Sequence, residues 1–145
     1  MDSEHLRTTI RANANELARL HARVHETCKD RDTNPQQNTQ WKSACAEFHA
    51  RYDSLSFPGG YSGALDRISG GEAFSIEAGL CFLECRPYFF RSGYMYKDIL
   101  RRLKRANLSL SQAERLINIV EGLERWKASR SLKTTVSELE DNVEG

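Results

Sequence analysis

The sequence predicts an all-α protein, a single-domain bundle of about five helices containing an N-terminal antiparallel helical hairpin and a central buried helix. Three observations predict it. Apolar residues recur at spacings of three and four over most of the 145 residues. Polar or glycine-rich breaks separate those stretches, and no segment alternates with the period of two that a strand requires. A chain of this length can bury a core without disulfides.

Leu6, Ile10, Leu17, Leu20 and Val24 place one seam along a helix from about Ser3 to Lys29. Asp2 or Ser3 is suited to cap it. Asn13 interrupts the seam, and it reads as a gap flanked by Ala14 in preference to a polar residue that fixes register against a neighbouring helix. Asp30 to Gln40 is polar and contains Asn34-Pro35, which predicts a loop because the residue before proline is pushed out of helical geometry. Trp41, Cys45, Phe48, Tyr52 and Leu55 then step by four and three, so a second helix returns along the first.

Phe57-Pro58-Gly59-Gly60 ends that hairpin, and Gly70-Gly71 marks a second turn, with the short segment Ser62 to Ile68 between them. Glu72 to Cys85 is apolar nearly all round, the mark of a helix covered on most sides. Pro87 stops it. A fourth helix is predicted over Tyr94 to Ala106, with Met95, Tyr96, Ile99, Leu100 and Leu103 facing inward. Ser111-Gln112-Ala113-Glu114 has capping-box spacing and predicts a fifth helix to about Ser129, with Leu116, Ile117, Val120, Leu123 and Trp126 as its buried stripe. The domain is thus expected to span 1–129, followed by an acidic tail or weak helix over 130–145, where Leu132, Val136, Leu139 and Val143 keep a four-three-four spacing.

Charge is nearly balanced, 21 basic against 20 acidic residues, which excludes the strong overall positive field of a dedicated DNA-binding domain. The distribution is uneven. Arg86 to Arg105 holds seven basic residues, one acid and five large aromatics, whereas Glu138, Glu140, Asp141 and Glu144 make the end acidic. Met1 to His5 carries no secretory signal pattern, and no apolar run approaches the ~18 residues of a membrane span. The expectation is a cytoplasmic protein with reduced thiols and no membrane partner.

Phosphate-loop, nucleophile-elbow and di-iron patterns are absent, so the leading expectation is non-enzymatic and needs no cofactor. Aromatic and arginine enrichment typifies binding hot spots. The sequence therefore points to a protein-binding module of adaptor, inhibitor or immunity type. Its surface would be Tyr88, Phe90, Arg91, Tyr94, Tyr96, Lys97, Arg101, Arg102 and Arg105, and its partner an acidic protein. The plain alternative has the rings filling a helix junction and the cations forming a solvated face. RNA is the other candidate partner, with rings stacking on bases and cations neutralising phosphate. The acidic tail could fold back over these cations, and pairing of the helical hairpin with its copy would give a homodimer.

A second alternative is a helical metal protein or enzyme. His21 and His25 stand four apart on the first helix, and Cys45 and His49 four apart on the second. An antiparallel hairpin would bring the pairs level as a tetrahedral nitrogen and sulfur set. Cys81 and Cys85, also four apart, are expected to be small core residues. Glu72, Glu77 and Glu84 would be carboxylate catalysts only if they met in a cleft.

Overall fold

End signals and apolar spacing determine where each helix begins and what it buries. The computed structural model describes residues 2–144, with side chains through residue 140, so Val143 of the expected terminal stripe and Asp141 and Glu144 of the acidic end lie outside the described side chains. The described residues form six helices and no strand. No helix among them is long and apolar enough to cross a membrane.

Helix α1 is Ser3–Lys29, where the Asp2 side chain accepts from the Glu4 N–H and caps the start. Leu6, Ile10, Leu17 and Leu20 are buried as expected; Ala14, not Asn13, completes the line, and Val24 is only half-buried. Helix α2 is Pro35–Ser56, so the expected loop through Gln40 is too long by six residues. Asn34 is indeed pushed out of helical geometry by the following proline, at φ −161°. That extended conformation is what an N-cap needs, and the Asn34 side chain accepts from Gln37 N–H at 2.9 Å while Pro35 takes the first position. The two helices run antiparallel, tied by Arg23 to Glu47 at 2.8 Å and Arg51 to Glu16 at 2.9 Å.

The turn after α2 is built around Gly60, whose φ of 88° suits glycine and whose absent Cβ would lie 2.8 Å from Asp53 Oδ2. Asp53 accepts from Ser62 N–H at 2.7 Å. Arg67 fastens the same turn by donating to the Gly60 and Ser62 carbonyls and to Ser75 Oγ. The segment between the glycine pairs is itself helical, α3 at Ala64–Ser69, which is the sixth helix beyond the five expected.

Helix α4, Ala73–Cys85, is the central buried helix. Ile76, Ala78, Leu80, Phe82 and Leu83 are at most 3% exposed, and α4 packs on α1, α3 and α5. Gly79 lets these approach closely: a Cβ there would stand 3.3 Å from both Ile68 Cδ1 and Leu103 Cδ1. Helix α5 is Ser92–Arg105, with Ser92, Met95, Ile99 and Leu103 buried and Tyr96 and Leu100 half-buried.

The chain divides into two compact units, one ending at Asn107 and the other beginning at Leu108. The second unit is helix α6, Leu110–Glu144, which continues without a break past Ser129. Its capping box sits two residues before the expected one: Gln112 N–H donates to Ser109 Oγ, and Ser109 N–H donates to Gln112 Oε1. Leu116 is buried and Val120 and Leu123 are half-buried, but Ile117 and Trp126 of the expected stripe are exposed.

Candidate functional site

The segment from Arg86 to Arg91 joins α4 to α5, and its backbone dictates which rings face out. Arg86 ends α4 in the left-handed region at φ 47°, with its N–H donating to the Phe82 carbonyl, and Pro87 cannot continue the helix. Arg91, at φ 68°, opens α5. These are the only non-glycine residues of positive φ among those described, and both lie in the sequence-predicted surface segment. Each carries a local steric cost that the surrounding contacts must hold in place.

Three consecutive rings then take three different environments. Tyr88 is 92% exposed. Phe89 turns inward, edge-on to Phe82 at 6.3 Å and to Tyr52 at 6.1 Å between ring centroids. Phe90 lies half-exposed against the α1–α2 hairpin, stacked on His21 at 5.1 Å, and its carbonyl accepts from Tyr52 Oη at 2.5 Å. Burial raises the Tyr52 phenol above its ordinary value, which keeps it a donor. Arg91 lies over the Phe90 ring at 5.3 Å.

Helix α5 extends this surface. At about 100° per residue its outward side carries Tyr94, Lys97, Arg101, Lys104 and Arg105, all exposed, opposite the buried Met95, Ile99 and Leu103. Tyr94 is 72% exposed. Arg101 reaches Asp98 at 3.4 Å; Lys97, Lys104 and Arg105 form no ion pair among the described residues. The predicted residues therefore divide. Tyr88, Arg91, Tyr94, Lys97, Arg101 and Arg105 present themselves outward, with Phe90 as a half-covered floor. Arg102 instead reaches back to α3, donating to Ser69 Oγ at 3.0 Å beside Asp66. Tyr96 is half-buried with the Arg86 guanidinium 5.6 Å from its ring, and burial raises its phenol. Lys104, left out of the predicted surface, belongs to it; its spacing of seven from Lys97 and three from Arg101 is the signal.

The four candidate metal ligands are not gathered into one set. The hairpin register brings α2 level with His21, but Phe48 is the residue that meets it, at 5.3 Å. His21 stacks on Phe90 and lies 4.6 Å from His25, while His49 is exposed at the edge of Phe48 and Cys45 is half-buried. Among the described residues no group of three or more His, Cys, Asp or Glu is arranged to hold a metal. Burial pushes the His21 imidazole below its ordinary value, and the neighbouring His25 adds to the shift.

The carboxylates considered as catalysts hold separate structural contacts. Ser3 Oγ donates to Glu77, Arg7 pairs with Glu84 at 3.0 Å, and Ser75 Oγ donates to Glu72 at 2.7 Å. Cys81 is buried, its sulfur 3.8 Å from the Ser3 carbonyl, and burial raises the Cys85 thiol, which disfavours a nucleophilic thiolate.

Comparison with protein-family models, with curated proteins and with solved structures finds no match for this chain.

Proposed function

We propose that the protein is a non-catalytic binding module of adaptor, inhibitor or immunity type, acting in the cytoplasm, which engages an acidic protein through the Tyr88–Arg91 turn and the outward side of α5. One observation carries this reading. Tyr88 and Tyr94 are 92% and 72% exposed, and Tyr94 shares the outward side of α5 with its cations, of which Lys97, Lys104 and Arg105 have no ion pair among the described residues. Tyrosines offer large rings at low conformational cost, and arginines offer forked donors to carboxylates. Neither tyrosine is needed to fill the core, which Phe82 and Phe89 already do.

The test is affinity purification of the full chain at two salt concentrations, identifying both protein and nucleic acid. Tyr88→Ala with Tyr94→Ala should weaken a bound acidic protein roughly 30-fold or more. Arg101→Glu with Arg105→Glu should slow its association and remove most of the salt dependence. Arg102 is left intact because it holds α3. Recovery of RNA in place of protein, with affinity falling steeply as salt rises, would replace this reading with the RNA alternative. A partner retained unchanged by both pairs of substitutions would refute the surface altogether.

A further inference from the structure

We propose that the second half of α6 is a self-association surface on which a second copy of this chain docks antiparallel. The proposal is independent of the surface on α5.

Leu132, Val136 and Leu139 are 66%, 45% and 60% exposed, and they fall within about 60° of one another around the helix. Leu116, Val120 and Leu123 lie on roughly the opposite side. The terminal stripe is therefore not a continuation of the first one but a separate apolar face. Every residue from Glu124 to Glu140 is exposed, so nothing among the described residues covers this face. An isolated helical stretch of that length is marginal in water, and its four-three spacing is the one by which two helices seam together.

Charge selects the occupant. From residue 125 to 133 every charged residue is basic, namely Arg125, Lys127, Arg130 and Lys133. From residue 134 onward every charged residue is acidic. A second copy laid parallel would set like charges side by side. Laid antiparallel about an axis between residues 137 and 138, residues 138–144 of each copy run along residues 131–137 of the other, where Lys133 is the one charged residue and is basic.

The antiparallel arrangement also matches the apolar layers. Val136 of one copy packs beside Leu139 of the other, and Leu139 beside Val136, with the two-fold axis between Ser137 and Glu138. Lys133 and Glu140 each follow a leucine of the stripe and so flank the seam. In this register Lys133 of one copy lies two residues, about 3 Å along the axis, from the level of Glu140 of the other, within reach of the long side chains, and symmetry repeats the pair.

Sedimentation equilibrium of the full chain tests this. The interface is small, so the weight-average mass should rise from 16.6 kDa toward twice that value between about 10 µM and 1 mM. Leu139→Asp should hold the mass at that of the monomer throughout, with a helical circular dichroism signal equal to that of the wild-type monomer at about 10 µM, because Leu139 is exposed within the chain. Lys133→Glu alone should weaken the dimer roughly five-fold, and so should Glu140→Lys alone. The double exchange should restore it, which a parallel pair would not do. A wild-type chain that stays monomeric, or a dimer indifferent to Leu139→Asp, overturns the proposal. Failure of the double exchange to restore affinity overturns the antiparallel register. If instead Leu139→Asp abolishes binding of a different protein to a monomeric chain, the face belongs to that partner and the second copy is excluded.

Discussion

Truncating Phe82 tests whether α4 holds the candidate surface in place. The ring is fully buried, 5.9 Å from Phe57 and 6.3 Å from Phe89 between centroids. Phe82→Ala removes the largest buried side chain of α4 and leaves a cavity ringed by elements that are themselves packed, which costs about 3–5 kcal/mol. Phe82→Leu retains most of the volume but loses both ring pairs, each worth about 0.5–1.5 kcal/mol beyond its area, so about 1–3 kcal/mol is expected. Against a total of about 5–15 kcal/mol the alanine variant forfeits roughly a fifth or more of the stability. Urea unfolding followed by Trp41 fluorescence in a Trp126→Phe background reads the first unit alone. With a urea slope near 2 kcal/mol per molar, Phe82→Ala should lower the midpoint by roughly 2 M. A loss below about 1.5 kcal/mol would refute the packing argument. So would equal losses for Leu and Ala.

Three further outcomes follow from single contacts. Asn34→Ala should cost about 1 kcal/mol, because Gln37 N–H loses its acceptor, and hydrogen exchange should quicken at the start of α2 before anywhere else. Gly60→Ala should cost more than Gly71→Ala in urea unfolding: both have positive φ, about 1 kcal/mol of strain, but only at Gly60 would the new Cβ strike Asp53, while Gly71 opens on empty space. His21, whose folded value lies below the ordinary 6.5, binds fewer protons folded than unfolded. Its contribution is complete above that ordinary value and is lost as pH falls through the lowered one, so stability should decline on acidification. His21→Phe should flatten that decline, and an unchanged slope would show that other groups cause it.

Where the sequence was legible, an apolar residue had one possible side to face. Leu6, Ile10, Leu17, Leu20, Met95, Ile99 and Leu103 all lie where spacing placed them. End signals were harder because the same residues serve two purposes. Asn34-Pro35 breaks a helix from one side and starts one from the other, and only the bond to Gln37 decides. Ser109 and Ser111 both precede a glutamine or glutamate at capping-box spacing, and the choice depends on where the preceding chain turns. Within Tyr88-Phe89-Phe90 no periodicity exists, so the inward turn of Phe89 was not readable; it follows from the left-handed residues at either end. For the candidate metal ligands the pairing of the two helices was legible, but not that Phe48 and Phe90 would be the rings that meet His21.

The left-handed backbone at Arg86 and Arg91 bears on affinity as well as on shape. Because the turn is already ordered in the folded chain, a partner that closes over Tyr88 need freeze only that side chain's rotation, not the loop beneath it. Glycine at either position would ease the steric cost and so should raise stability slightly while loosening the turn. The protein would then trade a gain in folding for a loss in preorganisation, and a faster release of the bound partner is the form that loss would take.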